Sequence, residues 1–268
     1  MTIHTDIQLA FNNAHASYDN HCMLQKHIGT KLIQQMLSVQ HKHPVPRIID
    51  LGCGTGLVTQ QLVDAMPFSE LHAVDFAPNP LALARIRLNQ PNIHVYEHNF
   101  DEKLAHHLPF DIAFANMSLH WSTNLENTLN ALRTQLSRHS LLCLSIPLLG
   151  SLHELTPDFS INAFIPADAF INTLAESGFD LLVTRNETIK LHFQNGLSAL
   201  KSFKLIGANA TARASNHLHG KNALAALTKL TYHIGYFIAR KTEHPCHKNY
   251  SSPAPILGQE KPISALDY

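Results

Sequence analysis

The stretch IIDLGCGTG, from Ile48 to Gly56, is an apolar run that carries an acid, Asp50, and then breaks into glycines at positions 52, 54 and 56. A buried strand that runs into a tight turn has this pattern. Three alternate positions without a side chain mean that something lies close to that backbone. It is either a ligand or a packed neighbour, and the surrounding sequence has to decide which.

Strand-like and helix-like segments alternate on both sides of this stretch. RIIDL is the first strand and GLVTQQLVDAM the helix after it. LHAVD (Leu71–Asp75), NIHVYEH, DIAFAN (Asp111–Asn116) and SLLCLSIP follow as strands, with helices over NPLALARIRL and NLENTLNALRTQL. ADAFINTLAESGF reads as a helix that stops at Gly178, DLLVTRNETIKLHF as one or two strands, GLSALKSFKLIGANA as a helix and LTYHIGYFIAR as a last strand. Such alternation predicts an α/β fold: a Rossmann-like, seven-stranded, mostly parallel sheet with helices on both faces. Residues 1–241 form the domain, with 1–40 as a helical lid and 194–229 as a helical insertion before the last strand. Residues 242–268, rich in Pro and Ser and without periodicity, read as a flexible tail.

In such sheets ligands bind beyond the carboxyl ends of the strands. The spacing G-x-G-x-G departs from the dinucleotide fingerprint, because Leu57 stands where its last glycine belongs. There is no phosphate-binding G-x-x-x-x-G-K-[ST] either. What remains is a turn on whose backbone a ligand can rest, at a helix start. Asp75 ends the second strand, where a carboxylate can accept hydrogen bonds from a ribose diol. This set suits a nucleoside without pyrophosphate, and S-adenosylmethionine has that form. The competing reading is a turn that only lets helix and strand pack closely.

Composition narrows the classes further. Of 268 residues 45% are hydrophobic and the formal net charge is +0, so no bulk field points to nucleic acid or membrane. No apolar run approaches the roughly 18 residues of a membrane span, and the N-terminus has no secretory pattern. Four scattered cysteines, without C-x-x-C, suit reduced thiols in the cytoplasm. Twenty histidines are many, but there is no H-E-x-x-H, and HKH and HH sit in polar connections, so no metal is expected. Charge is unevenly spread. Residues 1–184 hold 9 Lys/Arg against 16 Asp/Glu, a net of −7, and residues 185–241 hold 9 against 1, a net of +8. A basic stretch of that size can attract an acidic partner.

IIDLGCGTG with AVDFAP resembles the class I S-adenosylmethionine-dependent methyltransferases. The resemblance implies that Asp50, Gly52, Cys53, Gly54 and Gly56 hold the methionine part of the cofactor, Asp75 its ribose, and Phe76, Asn99 and Phe100 its adenine, with Asn116 beside the sulfonium. AFNNAHASYDNHCMLQ, ANMSLHWSTNL, GSLHEL, AFIP, LSALKSFKLIGANAT and LTYHIGYFIAR together resemble the malonyl-[acyl-carrier protein] O-methyltransferases of biotin synthesis, over about residues 5–241. That family esterifies the free carboxylate of a malonyl thioester. The resemblance implies Tyr18, His120 and Trp121 as catalytic residues. It implies malonyl-acyl carrier protein, or malonyl-coenzyme A, as the partner, docked on Lys201, Lys204, Arg213 and Lys221. His120 departs from the family, which commonly has Gln before the Trp. A methyltransferase for a quinone precursor or another small acid, and a cofactor-binding assembly factor that does not methylate, stay open.

Overall fold

The computed structural model describes residues 12, 23–39, 44–104, 108–155, 163–205 and 227–243. Fifteen-residue α1 (Met23–Leu37) leads into β1 (Arg47–Leu51), α2 (Leu57–Ala65), β2 (Glu70–Asp75), α3 (Pro78–Arg87), β3 (Ile93–Glu97) and β4 (Phe110–Asn116). A short 3-10 turn, Leu119–Trp121, precedes α4 (Leu125–Thr134) and β5 (Leu136–Pro147). After a second such turn, His153–Leu155, come α5 (Ala167–Glu176), β6 (Phe179–His192), α6 (Gly196–Leu205) and β7 (Lys229–Lys241).

The seven strands lie in the order β3-β2-β1-β4-β5-β7-β6. β1 to β5 run parallel, while β7 is antiparallel to both β5 and β6. Winding reverses between β1 and β4, so a crevice opens there above the carboxyl ends of the strands. The central strands are apolar on both faces, as a doubly covered sheet requires. Ile48, Leu71, Ala73, Ile112 and Phe114 face one core with α1, α2 and α3. Ile49, Leu51, Val74, Ala113 and Ala115 face the other with α4 and α5.

Three elements are defined more closely than the sequence expectation left them. β6 is one continuous strand, paired with β7 from Phe179 to His192 through an irregularity at Leu181 and Val183. β5 begins at Leu136, before the apolar run SLLCLSIP, because Leu136 is buried opposite Phe110. The described helix of the N-terminal segment, α1, is a core element: Leu24, Ile28, Leu32 and Met36 recur every fourth residue and are all buried. Burial of each contributes about 1.5–3 kcal/mol. Lys31 of α1 also pairs with Glu187 of β6, which accepts a further hydrogen bond, 2.7 Å long, from Tyr236 of β7.

Candidate active site

The turn after β1 makes the floor of a cleft of about 490 Å³ at the reversal in strand order. Gly52 and Gly54 are both left-handed, with φ of 78° and 55°. They are glycines for different reasons. A Cβ on Gly52 would lie 2.4 Å from Ser118 Cβ, so a packed neighbour forbids it. A Cβ on Gly54 would meet no atom within 4 Å, since Gly54 faces the cleft. Gly56 opens α2 with no side-chain cap, and its face is closed by Ala84 of α3 and by Leu88 just after that helix. Four amides of the turn are already engaged. Gly52 and Cys53 donate to Val74 O at 2.8 and 3.0 Å, Gly54 to Asp75 Oδ2 at 2.9 Å, and Gly56 to Cys53 O at 2.9 Å.

Asp75 closes β2 at the same level and lines the cleft. Its second oxygen, Oδ1, accepts from Ala77 N–H at 2.9 Å, which fixes the carboxylate before Pro78 starts α3. Burial raises its pKa to about 6, although backbone N–H groups of Ala77, Gly54 and Phe76 oppose the shift. Asp50 lies deeper and accepts a 2.6 Å hydrogen bond from Thr59. Burial raises it to about 7; Thr59 opposes this, and the nearby charge of Asp75 adds to it.

Phe76, Pro80 and Phe100 give the cleft apolar walls from the ends of β2, α3 and β3. The end of β4 supplies Asn116, Met117 and Ser118, with Trp121 beyond them. Asn116 is held in place: its amide donates to Gln25 O of α1 at 3.0 Å and accepts from Ser145 at 2.9 Å. Met117 is a non-glycine residue at φ 53°, strain of the kind that collects at functional sites. Ser118 donates to Leu51 O at 2.6 Å. His120 is only partly exposed, its ring is 4.9 Å from that of Trp121, and its Nδ1 is buried without a hydrogen-bond partner among the described residues. Burial pushes its pKa down to about 3, so the imidazole is neutral at working pH.

Of the sequence-predicted residues, Gly52, Gly54, Asp75, Phe76, Phe100, Asn116 and Trp121 line the cleft together. Cys53 sits in the α1–α3 core, and Asp50 and Gly56 support the turn from behind. Asn99 turns its side chain to its own loop, accepting from Asp101 N–H at 3.1 Å. The backbone of Lys201 and Lys204 belongs to α6, while Tyr18, Arg213 and Lys221 lie outside the described residues. Sequence reasoning missed Thr55, Pro80, Met117 and Ser118. Thr55 and Met117 adjoin residues it had selected, while Ser118 stands two positions and Pro80 four positions beyond one. It also missed Asn12, whose side chain accepts from Asn79 N–H at 3.0 Å beside Pro80.

A glycine turn, an acid at the next strand end and aromatic walls at a strand-order reversal belong to the Rossmann-like methyltransferase class, and the comparisons agree. Residues 49–141 match a family model described as a methyltransferase domain. The fold is shared with the YcgJ protein from Bacillus subtilis (TM-score 0.60, 10% identity, 80% of this chain and 100% of that one). It is also shared with an S-adenosylmethionine-dependent methyltransferase from Mesorhizobium loti (TM-score 0.50, 16% identity, 78% and 96%). In sequence, the malonyl-[acyl-carrier protein] O-methyltransferase 2 of Coxiella burnetii is 32% identical over 88% of this chain and 95% of its own. The enzyme of that name from Bacillus cereus is 34% identical over 53% and 52%. The chain belongs to the malonyl-[acyl-carrier protein] O-methyltransferase family.

The two glycines give a direct test of the turn. Gly52→Ala combines a left-handed φ with a clash and should cost at least about 3 kcal/mol in urea denaturation. Gly54→Ala carries only the φ penalty of about 1–2 kcal/mol. Equal losses would mean that the cleft does not begin at Gly54.

Proposed function

We propose that this chain transfers a methyl group from S-adenosylmethionine to the free carboxylate of malonyl-acyl carrier protein. The product is the malonyl methyl ester that primes pimelate formation for biotin. The observation that carries the substrate is the match to the Coxiella relative along nearly the whole of both chains.

The cleft fits the cofactor. Gly54 leaves its backbone open to a ligand, the Asp75 carboxylate suits ribose hydroxyls, and Phe76, Phe100 and Pro80 suit an adenine. Asn116 and Met117 would lie along the methionine part. When bound, S-adenosylmethionine supplies an electrophilic methyl on a cationic sulfur. The malonyl carboxylate is already ionised at pH 7, so the protein need not remove a proton. Its task is to align the carboxylate with the methyl and to exclude water. Neutral donors serve best, since full pairing with a cation would quench the nucleophile. The His120 imidazole, neutral and with an unpartnered buried nitrogen, has that character, and Trp121 stands beside it. Tyr18 belongs to the same reading. Asn12 and Gln25, on either side of it in sequence, contact Asn79 and Asn116 at the cleft rim.

Of the expected 1–40 lid, α1 belongs to the core, so in this reading only the residues before it serve as the lid of a 1–241 catalytic domain, with 194–229 as the docking region. Lys201, Lys204, Arg213 and Lys221 would meet the acidic carrier protein, with a salt-sensitive on-rate. A cytoplasmic location goes with the unpaired, buried Cys53 and Cys143. No helix among the described residues is long and apolar enough to cross a membrane.

The decisive experiment offers labelled S-adenosylmethionine with malonyl-acyl carrier protein, malonyl-coenzyme A and free malonate side by side. Base-labile label on the carrier-bound malonyl group, with little on malonate, is expected. Cofactor binding without transfer to any of the three would move the acceptor to another small acid or leave a non-methylating assembly factor. Asp75→Ala should weaken cofactor binding at least tenfold by calorimetry. In the unaltered protein, binding needs the ionised carboxylate. With a pKa of about 6 in the free protein, affinity should therefore fall about tenfold from pH 7 to pH 5. Lys201→Glu with Lys204→Glu should raise the KM for the carrier protein several-fold and leave the cofactor Kd alone. An unchanged KM removes the docking region from this reading.

A further inference from the structure

At the opposite end of β2 from Asp75, three side chains converge. Glu70 and His72 sit two residues apart, hence on one face of the strand, and β2–β3 register sets His94 directly beside His72. Glu70 Oε1 is 3.0 Å from His72 Nε2 and 3.0 Å from His94 Nε2. All three candidate ligand atoms lie within 4.8 Å of one another. Four-coordinate zinc, with bonds of about 2.0–2.1 Å, separates its ligand atoms by about 3.3 Å. Two of the three separations therefore need to open by only about 0.3 Å.

The surroundings are arranged as metal ligands require. An imidazole that binds through Nε2 carries its hydrogen on Nδ1 and hands it to a neighbour. His72 is 4% exposed, and its Nδ1 is 3.0 Å from the Tyr96 hydroxyl. Arg47 grips the other Glu70 oxygen, Oε2, through Nε and a terminal nitrogen, each at 2.8 Å, leaving Oε1 as a single, oriented ligand. Arg47 itself is fixed by Pro109 O at 2.9 Å and by the Phe110 ring. The His94 side chain is 47% exposed, which gives an ion a route in and leaves a fourth position for water.

We propose that Glu70, His72 and His94 form a binding site for one divalent transition-metal ion of the zinc type. Two imidazoles and one carboxylate favour such an ion over magnesium or calcium, which take oxygen ligands. The site joins β2 to β3 at the edge of the sheet. It lies about 16 Å along β2 from Asp75, at 3.3 Å per residue, so its role is to staple the edge rather than to take part in transfer.

The test uses the full chain, stripped with EDTA and titrated with Zn²⁺ against a chromophoric chelator, with Tm measured in parallel. One tightly bound Zn²⁺ per chain is expected. Tm should rise by about 5 °C when free Zn²⁺ is a hundredfold above Kd. His94→Gln alters a half-exposed residue and should abolish that tight site and the Tm rise. Tyr96→Phe should weaken it about tenfold or more. Because the chain has 20 histidines, His153→Gln, at an exposed histidine elsewhere, serves as control and should bind like the unaltered protein. The same stoichiometry, affinity and Tm response in His94→Gln as in the unaltered chain, including no response in either, overturns the proposal.

Discussion

The cleft depends on a single knot at the carboxyl ends of three strands. Ser118, just past β4, donates to Leu51 O at the end of β1, and the amides of Gly52 and Cys53 donate to Val74 O near the end of β2. These bonds hold only because Gly52 is left-handed and bare, with Ser118 packed where a Cβ would stand. Once the knot is tied, little freedom remains around it. Asp75 is brought under Gly54, Asn116 takes its place opposite, and Met117 is forced to a positive φ with its amide on Ser145. A cofactor meets a surface that is already shaped, so little ordering entropy opposes its binding.

The same knot buries two acids together. Asp50 and Asp75 both sit where water is scarce, and each has a folded-state pKa well above that of a free carboxyl. The sign follows from linkage. A raised folded-state pKa means stability that is full at acid pH and lost as pH rises through about 6 to 7. At neutral pH the ligand-free cleft is therefore under electrostatic strain. A cation entering it relieves that strain, and an anion adds to it. Two buried carboxylates at the turn suit a cationic sulfonium and amine better than the phosphates that glycine turns bind elsewhere.

Local pattern made part of this legible. IIDLGCGTG carries its own strand, turn and helix start. An acid closing the next apolar run identifies Asp75 without any knowledge of tertiary packing. Sequence distance hid the rest. Cys53 and Asn99 stand in the right loops, but whether a side chain faces the cleft or its own backbone is decided by one torsion, and both turn away. Ser118 is an unremarkable residue until Gly52, sixty-six positions earlier, is brought against it. The antiparallel insertion of β7 between β5 and β6 is a fact of topology that apolar periodicity does not contain. The grouping of Glu70, His72 and His94 is a fact of register. E-x-H on one strand and a lone His on another mean nothing until the pairing of β2 with β3 is known.

That difference in legibility follows the polarity of the sheet. At the carboxyl ends each strand runs straight into a loop, so the residue that acts is the one after the apolar run, and chain order reveals it. At the amino ends the same strands arrive from different helices, and side chains meet only across the ladder. β2 shows both regimes within six residues: Asp75 works through its own loop, while Glu70 works through Arg47 of β1 and His94 of β3. Strain concentrates at the first end, in left-handed residues and buried carboxylates. At the second end Glu70 ties the three strands together, through Arg47 of β1 and His94 of β3. The loops above can hold a strained geometry because the strands beneath them are fixed at their other ends.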